Sequence, residues 1–244
     1  MKSNFYICFE GMDEELKLKS IDTTKHREDE VVFYAKIVDF EGLSKAAEIE
    51  MHDQWEIKQP KGRIRVRKTV VLKSLTDSGI VAPEGQTALY VQTIKTRDTA
   101  AGIAGGTEIN SEINKDFFES FKAMAPQGMV KTRYTVPTNK IVVKIGEDTT
   151  EIKVDSYFEI DVFSDKDGKP HEWCKVDVEV NSILEAIARE FPGVKDANFE
   201  IDTGNLPFDP ANVIFGKDEV SKKKVSELYD KYFLTFNGKE ENAA

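Results

Sequence analysis

Three arginines at alternate positions, Arg63, Arg65 and Arg67 in "RIRVRKTV", would share one face of a β-strand and leave Ile64, Val66 and Lys68 on the other. Guanidinium groups on such a rail are forked donors for phosphate oxygens and stay charged at any working pH. The same alternation puts Lys95 and Arg97 on one face of "ALYVQTIKTR", and Lys131 with Arg133 on one face of "MVKTRYTVP". Carboxylates come from Glu159 and Asp161 in "YFEIDVF", and from Asp177 and Glu179, beside Lys175, in "WCKVDVEV". Paired carboxylates are the hard oxygen ligands that Mg²⁺ or Mn²⁺ accepts while bridging to phosphate. Cations to hold an anion and carboxylates to hold a metal together make a set suited to phosphoryl transfer on a triphosphate.

The strands that carry these residues have greasy opposite faces: Ile64 and Val66; Phe158, Ile160 and Val162; Val176, Val178 and Val180. A single such strand is compatible with one face in water, as antiparallel sheets often have. Here, however, basic and acidic residues are largely sorted onto different strands. Like charges about 6–7 Å apart along a strand repel unless something opposite lies between them. That sorting favours an α+β fold built on a closed antiparallel β-barrel of about eight strands, with a polar lumen for one small ligand and flanking helices outside.

Between the charged strands, "EVVFYAKIVDF" reads as a strand, and Leu43, Ala46, Ala47 and Met51 have helical spacing, which predicts a short helix from about Ser44 to His52. "QWEIK" and "RIRVRKTV" form a hairpin around Pro60, Lys61 and Gly62. "AAGIAGG" is a loop whose glycine spacing fits no phosphate-binding motif, "GTEINSEI" is a candidate strand, and "NKDFFESFKAMA" is a helix stopped by Pro126. "KIVVKIGEDTTEIKVD" is a hairpin turning at "GED", and Ser182 with Glu185 satisfies capping-box spacing for a helix over "NSILEAIARE". The expected organisation is a hairpin-like extension over 1–29, the tunnel barrel over 30–182, a helical segment over 183–236 whose last helix starts near Ser221, and a disordered tail over 237–244.

The chain has 244 residues and a formal net charge of −10, which argues against general affinity for DNA, RNA or anionic membranes and confines any polyanion to a local basic pocket. Cys8 and Cys174 suggest neither a disulfide framework nor a zinc site, and "NFYICF" is too short for a signal sequence. The expectation is a cytoplasmic protein whose partner is a small-molecule triphosphate or nucleotide.

Taken in order, "RIRVR", "YVQTIK", "KTRY", "YFEIDVF" and "KVDVEV" resemble the CYTH, or triphosphate tunnel metalloenzyme, superfamily over roughly residues 30–182. That superfamily includes thiamine and inorganic triphosphatases, class IV adenylyl cyclases and some RNA triphosphatases. The resemblance implies phosphate binding by Arg63, Arg65, Arg67, Lys95, Lys131 and Arg133. It implies a Mg²⁺ or Mn²⁺ site at Asp177, Glu179 and Glu159, and catalytic roles for Lys36, Lys95 and Asp161. Glu108 and Glu112 loosely match the acidic middle strand of the family.

The pattern departs from the family at its opening Glu-x-Glu-x-Lys strand. In "VFYAKIVDF" Lys36 matches the lysine, but Val32 and Tyr34 stand at the glutamate positions. Asp13 and Glu15 of "DEELK", or Glu48 and Glu50 of "EIEMH", are the alternative sources of the missing carboxylates. Three functions follow: metal-dependent triphosphate hydrolysis, an inactive nucleotide- or polyphosphate-binding module, or an adenylyl cyclase. His26, His52 and His171 have no metal-ligand spacing and read as surface residues, and "SKKK" reads as the solvated start of a helix.

Overall fold

A computed structural model describes residues 6–8, 30–76, 79–81, 88–96, 108–145, 148–165, 167–179, 181–193, 198–202, 208, 214–215, 223–224, 227 and 234–235. In chain order the elements are β1 (Tyr6–Cys8), β2 (Glu30–Lys36), α1 (Phe40–Ala46), β3 (Glu48–Gln59), β4 (Gly62–Thr76), β5 (Gly79–Val81), β6 (Ala88–Thr96), β7 (Glu108–Glu112), α2 (Lys115–Met124) and β8 (Gln127–Ile145). They continue with β9 (Asp148–Ser164), β10 (Pro170–Glu179), α3 (Asn181–Glu190), β11 (Asn198–Asp202), β12 (Ile214–Phe215) and β13 (Leu234–Thr235). The main sheet runs β12-β2-β10-β9-β8-β3-β4-β6-β7, nine strands that are antiparallel at every step. Among the described residues no ladder joins β7 to β12, so the order has two ends and the expected closed barrel is seen as a large antiparallel sheet.

Alternation gives this sheet one apolar face, and α1, α2 and α3 lie on it. Phe33 and Ala35 of β2, Cys174, Val176 and Val178 of β10, and Phe158, Ile160 and Val162 of β9 form one cluster with Leu43 of α1 and with Ile183, Ala186 and Ile187 of α3. A second cluster joins Trp55 of β3 and Val66 of β4 to Phe118 and Phe121 of α2, with Tyr90 of β6 against it. Lys122 of α2 adds a polar tie, its Nζ 2.7 Å from Asp53 Oδ2 and 4.9 Å from the Trp55 ring centre. Each helix therefore buries its apolar side on a different part of one continuous face.

Three local readings change. The helix expected over Ser44–His52 is instead α1, which starts after the N-cap Asp39 and ends at Ala46, followed at once by β3. Strand pairing on both sides of β3, to β4 and to β8, outweighs the helical spacing of a few apolar residues. The capping box is not formed: α3 already includes Asn181, and Ser182 Oγ is buried without a hydrogen-bond partner. The segment expected to be helical after residue 183 also supplies three short strands, with β11 on β8, β12 on β2 and β13 on β8. In the N-terminal extension β1 pairs with β11, while "ELKLKSI" and the tail over 237–244 lie outside the described residues.

The hairpins read from the sequence are present and longer than expected. β8 and β9 make a single arm of 19 and 17 residues, with a register shift between Thr138 and Lys140. β3 and β4 turn through Pro60 and Lys61, with Gln59 opposite Gly62. Gly62 has φ of +155°, and a Cβ there would lie 2.0 Å from the Lys95 carbonyl oxygen of β6. Only glycine lets β4 enter the sheet this close to its neighbour.

Candidate functional site

The face opposite the helices is polar, and the strand registers place its residues in rows. Tyr34 lies opposite Lys175, which lies opposite Asp161, which lies opposite Arg133, which lies opposite Glu50. One row along, Val32 lies opposite Asp177 and Asp177 opposite Glu159. Farther across, Gln54 lies opposite Arg67 and Glu56 opposite Arg65, which faces Thr93 of β6 and, beyond it, Asn110 of β7. Arg63 lies opposite Lys95, which faces Glu108. Every cation that the sequence assigned to phosphate binding thus belongs to this one face. Arg97 lies outside the described residues.

Two halves of the face differ in how their charges are met. On β8, β9 and β10 the pairing is dense. Asp161, 1% exposed, accepts from Arg133 Nε at 2.8 Å and Nη2 at 2.9 Å, and also pairs with the Lys131 ammonium. Arg133 also pairs with Glu159, and Lys175 Nζ donates to Asp177 Oδ2 at 2.6 Å. Burial alone would raise the Asp161 carboxyl, but Lys131 and Arg133 hold it well below the usual carboxylate range. Burial pushes the Lys131 ammonium down to about 7, against the pull of Asp161. For Glu159 burial dominates and its pKa rises, with Arg133 opposing and Asp161 adding to the rise.

On β3, β4, β6 and β7 the cations are less fully met. Arg65 Nη2 donates to Thr93 Oγ1 at 3.2 Å and lies 3.7 Å from Glu108 Oε1. Thr93 Oγ1 donates in turn to Asn110 Oδ1 at 2.7 Å, and Lys95 pairs with Glu108. Yet Arg65 Nε and Arg67 Nε are buried with no hydrogen-bond partner. Burial, with Arg67 and Arg63 as like-charged neighbours, pushes the Arg65 guanidinium down to about 10. Burial and then Arg133 lower Arg67 as well.

The sequence reading missed the floor of this half. His52, expected at the surface, is buried; its Nε2 lies 2.8 Å from Glu50 Oε2, and burial pushes its pKa down to about 4. Gln54 and Glu56 are buried beside it, with Arg63 Nη1 3.7 Å from Glu56 Oε2. The signal was available: in "EIEMHDQWEIK" the polar residues Glu48, Glu50, His52, Gln54 and Glu56 alternate with Ile49, Met51, Trp55 and Ile57.

Lys36 pairs with Glu172 at 3.1 Å and lies 5.3 Å from the Trp173 ring centre, at the end of β2 away from Asp161. Glu108 faces the site, while Glu112 is exposed. Glu179 is in β10 with its backbone opposite Glu30; its side chain and the alternatives Asp13 and Glu15 lie outside the described residues. Val32 and Tyr34 hold the positions beside Asp177 and Lys175 where the family pattern would place carboxylates.

Among the described residues no group of three His, Cys, Asp or Glu side chains could hold a metal ion. Asp161 is engaged by Lys131 and Arg133, and Glu159 by Arg133. Asp177 is held by Lys175 through one oxygen, so the described part of the expected Mg²⁺ or Mn²⁺ set, Asp177 and Glu159, is already paired with cations, while the Glu179 side chain lies outside the described residues. No protein-family model matches the chain, and no curated protein matches it.

Proposed function

We propose that the polar face binds a small molecule bearing a polyphosphate, a triphosphate or nucleotide, and that the sheet rolls around it into a tunnel. One observation carries this reading. Six buried side-chain atoms without a hydrogen-bond partner, His52 Nδ1, Gln54 Oε1, Glu56 Oε2, Arg65 Nε, Arg67 Nε and Asp177 Oδ1, all belong to this face. Buried polar atoms are almost always paired with protein, ligand or water, so a cluster of orphans is a surface made to be completed. Arginine forks at Arg63, Arg65 and Arg67 beside Lys95 select for phosphate oxygens.

Burial supports the tunnel. His52 and Glu56 are 1% exposed and Lys131 6%, although the helices cover the other face. A polar face sheltered this deeply, with α1, α2 and α3 on the opposite side, is what a sheet curled on itself produces.

Heating the protein with inorganic triphosphate, or with orthophosphate at matched ionic strength, tests the reading. A ligand of the folded state alone raises the melting temperature as it saturates. The expected result is a clear shift with triphosphate and little with orthophosphate; equal shifts would count against a site that reads several phosphates. Hydrolysis is the second reading, favoured by Asp177 Oδ1, buried and unpartnered in the row shared with Glu159. Release of orthophosphate, pyrophosphate or cyclic nucleotide from triphosphates supplied with Mg²⁺ or Mn²⁺ distinguishes hydrolase, cyclase and binding module.

A further inference from the structure

We infer that Lys175 is a built-in counter-ion standing where the family resemblance expects a divalent cation, so that this face takes its anion without Mg²⁺ or Mn²⁺. The inference deepens the polyphosphate reading and depends on it for the ligand, but the claim about the cation stands on ion pairs alone. Lys175 Nζ is 2.6 Å from Asp177 Oδ2, and both side chains project from β10 onto the polar face. Lys131, Arg133 and Lys175 offset Glu159, Asp161 and Asp177 one for one, each carboxylate being in direct contact with at least one of the cations.

A hard divalent ion needs several converging carboxylate or carbonyl oxygens and excess negative charge. Among the described side chains this cluster offers neither. Both oxygens of Asp161 already accept charged hydrogen bonds. In the described part of β2, Val32 lies opposite Asp177 and a buried Tyr34 opposite Lys175, and neither is an acid; Glu30, opposite Glu179, has its side chain outside the described residues. The one orphaned oxygen, Asp177 Oδ1, belongs to a carboxylate whose other oxygen holds an ammonium. An ion placed there would face that ammonium across one carboxyl group, and like charges this close in a sheltered site repel strongly.

The test is Mn²⁺ binding to the full chain without other ligand, followed by electron paramagnetic resonance of the free aquo ion. Wild-type protein is expected to leave millimolar Mn²⁺ free. Lys175→Met removes the ammonium but keeps most of the stem, and should tighten Mn²⁺ binding roughly tenfold or more, since affinity at oxygen sites follows ligand charge. Lys175→Arg, which keeps the charge, should exclude Mn²⁺ as wild type does. Lys175→Met combined with Asp177→Asn should lose the gained binding, which locates it. Wild-type Mn²⁺ binding that Asp177→Asn abolishes would overturn the inference, as would a folded Lys175→Met protein that still leaves Mn²⁺ free. A separate titration of wild-type protein with inorganic triphosphate in EDTA is expected to show binding. Triphosphate binding that appears only when Mn²⁺ is restored would also overturn it. Failure to bind triphosphate with or without metal would instead sink the polyphosphate reading and leave the Mn²⁺ result to decide the role of Lys175.

Discussion

Arg65 shows what one residue of the face is asked to do. Its guanidinium is largely buried, meets Thr93 at 3.2 Å and Glu108 at 3.7 Å, and keeps an Nε with no partner beside two like-charged neighbours. Arg65→Ala is therefore expected to weaken triphosphate binding by about 1–3 kcal/mol, the worth of charge-assisted hydrogen bonds. Stability without ligand should hold or rise, because repulsion from Arg63 and Arg67 is relieved. Calorimetric titration and urea denaturation of the same variant check both halves, and unchanged binding would remove Arg65 from the site. The rail itself was legible because strand alternation alone sends Arg63, Arg65 and Arg67 to one side. For Glu56 and His52 the alternation showed the shared face but not the burial, because burial depends on what covers a residue, which a local pattern does not contain. The match of Lys36 to a family lysine is positional, and its contacts in the fold are Glu172 and Trp173.

At the scale of elements, the β3-β4 hairpin decides whether the rail is presented. Gly62 starts β4 at φ +155°, and its position opposite Thr96 brings it against the β6 backbone. Gly62→Ala places a methyl into the Lys95 carbonyl oxygen and demands a backbone conformation that L side chains avoid. The expected cost is more than about 1 kcal/mol, seen as a lower urea midpoint, and it should spread Arg63 from Lys95 and weaken anion binding as well. An unchanged midpoint would mean that β4 and β6 separate freely at this end. The turn was readable from Pro60, Lys61 and Gly62. The helix boundary nearby was misread because Leu43, Ala47 and Met51 mimic a helical stripe, whereas the longer alternation from Glu48 to Ile57 is the stronger signal once two neighbouring strands can pair with it. The short strands β11, β12 and β13 were unreadable, since segments of two to five residues owe their conformation to the strands they pair with.

For the whole molecule, the sorted charges foretold a polar face on a mostly-β sheet, but not that Glu159, Asp161 and Asp177 would each be met by a cation of the same face. Part of that matching is a property of register: Arg133 pairs with Asp161 because β8 and β9 align as they do, while Lys175, set opposite Asp161 by the β9-β10 register, pairs with Asp177 of its own strand. The buried charges should also shape global stability against pH. His52 has its pKa pushed down to about 4 by burial from an ordinary value of 6.5, so between these values the unfolded chain holds a proton that the folded protein does not. Its contribution is complete above pH 6.5 and is lost as the pH falls toward 4, amounting to about 2 kcal/mol by about pH 5. Asp161, held below its ordinary 3.8 by Lys131 and Arg133 despite burial, adds a second loss only below that value. Glu159, raised by burial, works the other way: it binds its proton in the folded protein first and partly offsets the decline below its raised pKa. Urea midpoints should accordingly fall between pH 7 and pH 5 for the wild-type protein, and fall less for His52→Gln, which keeps a polar side chain near Glu50 without a titrating ring. Parallel declines in the two proteins would show that His52 is not the group that takes up the proton.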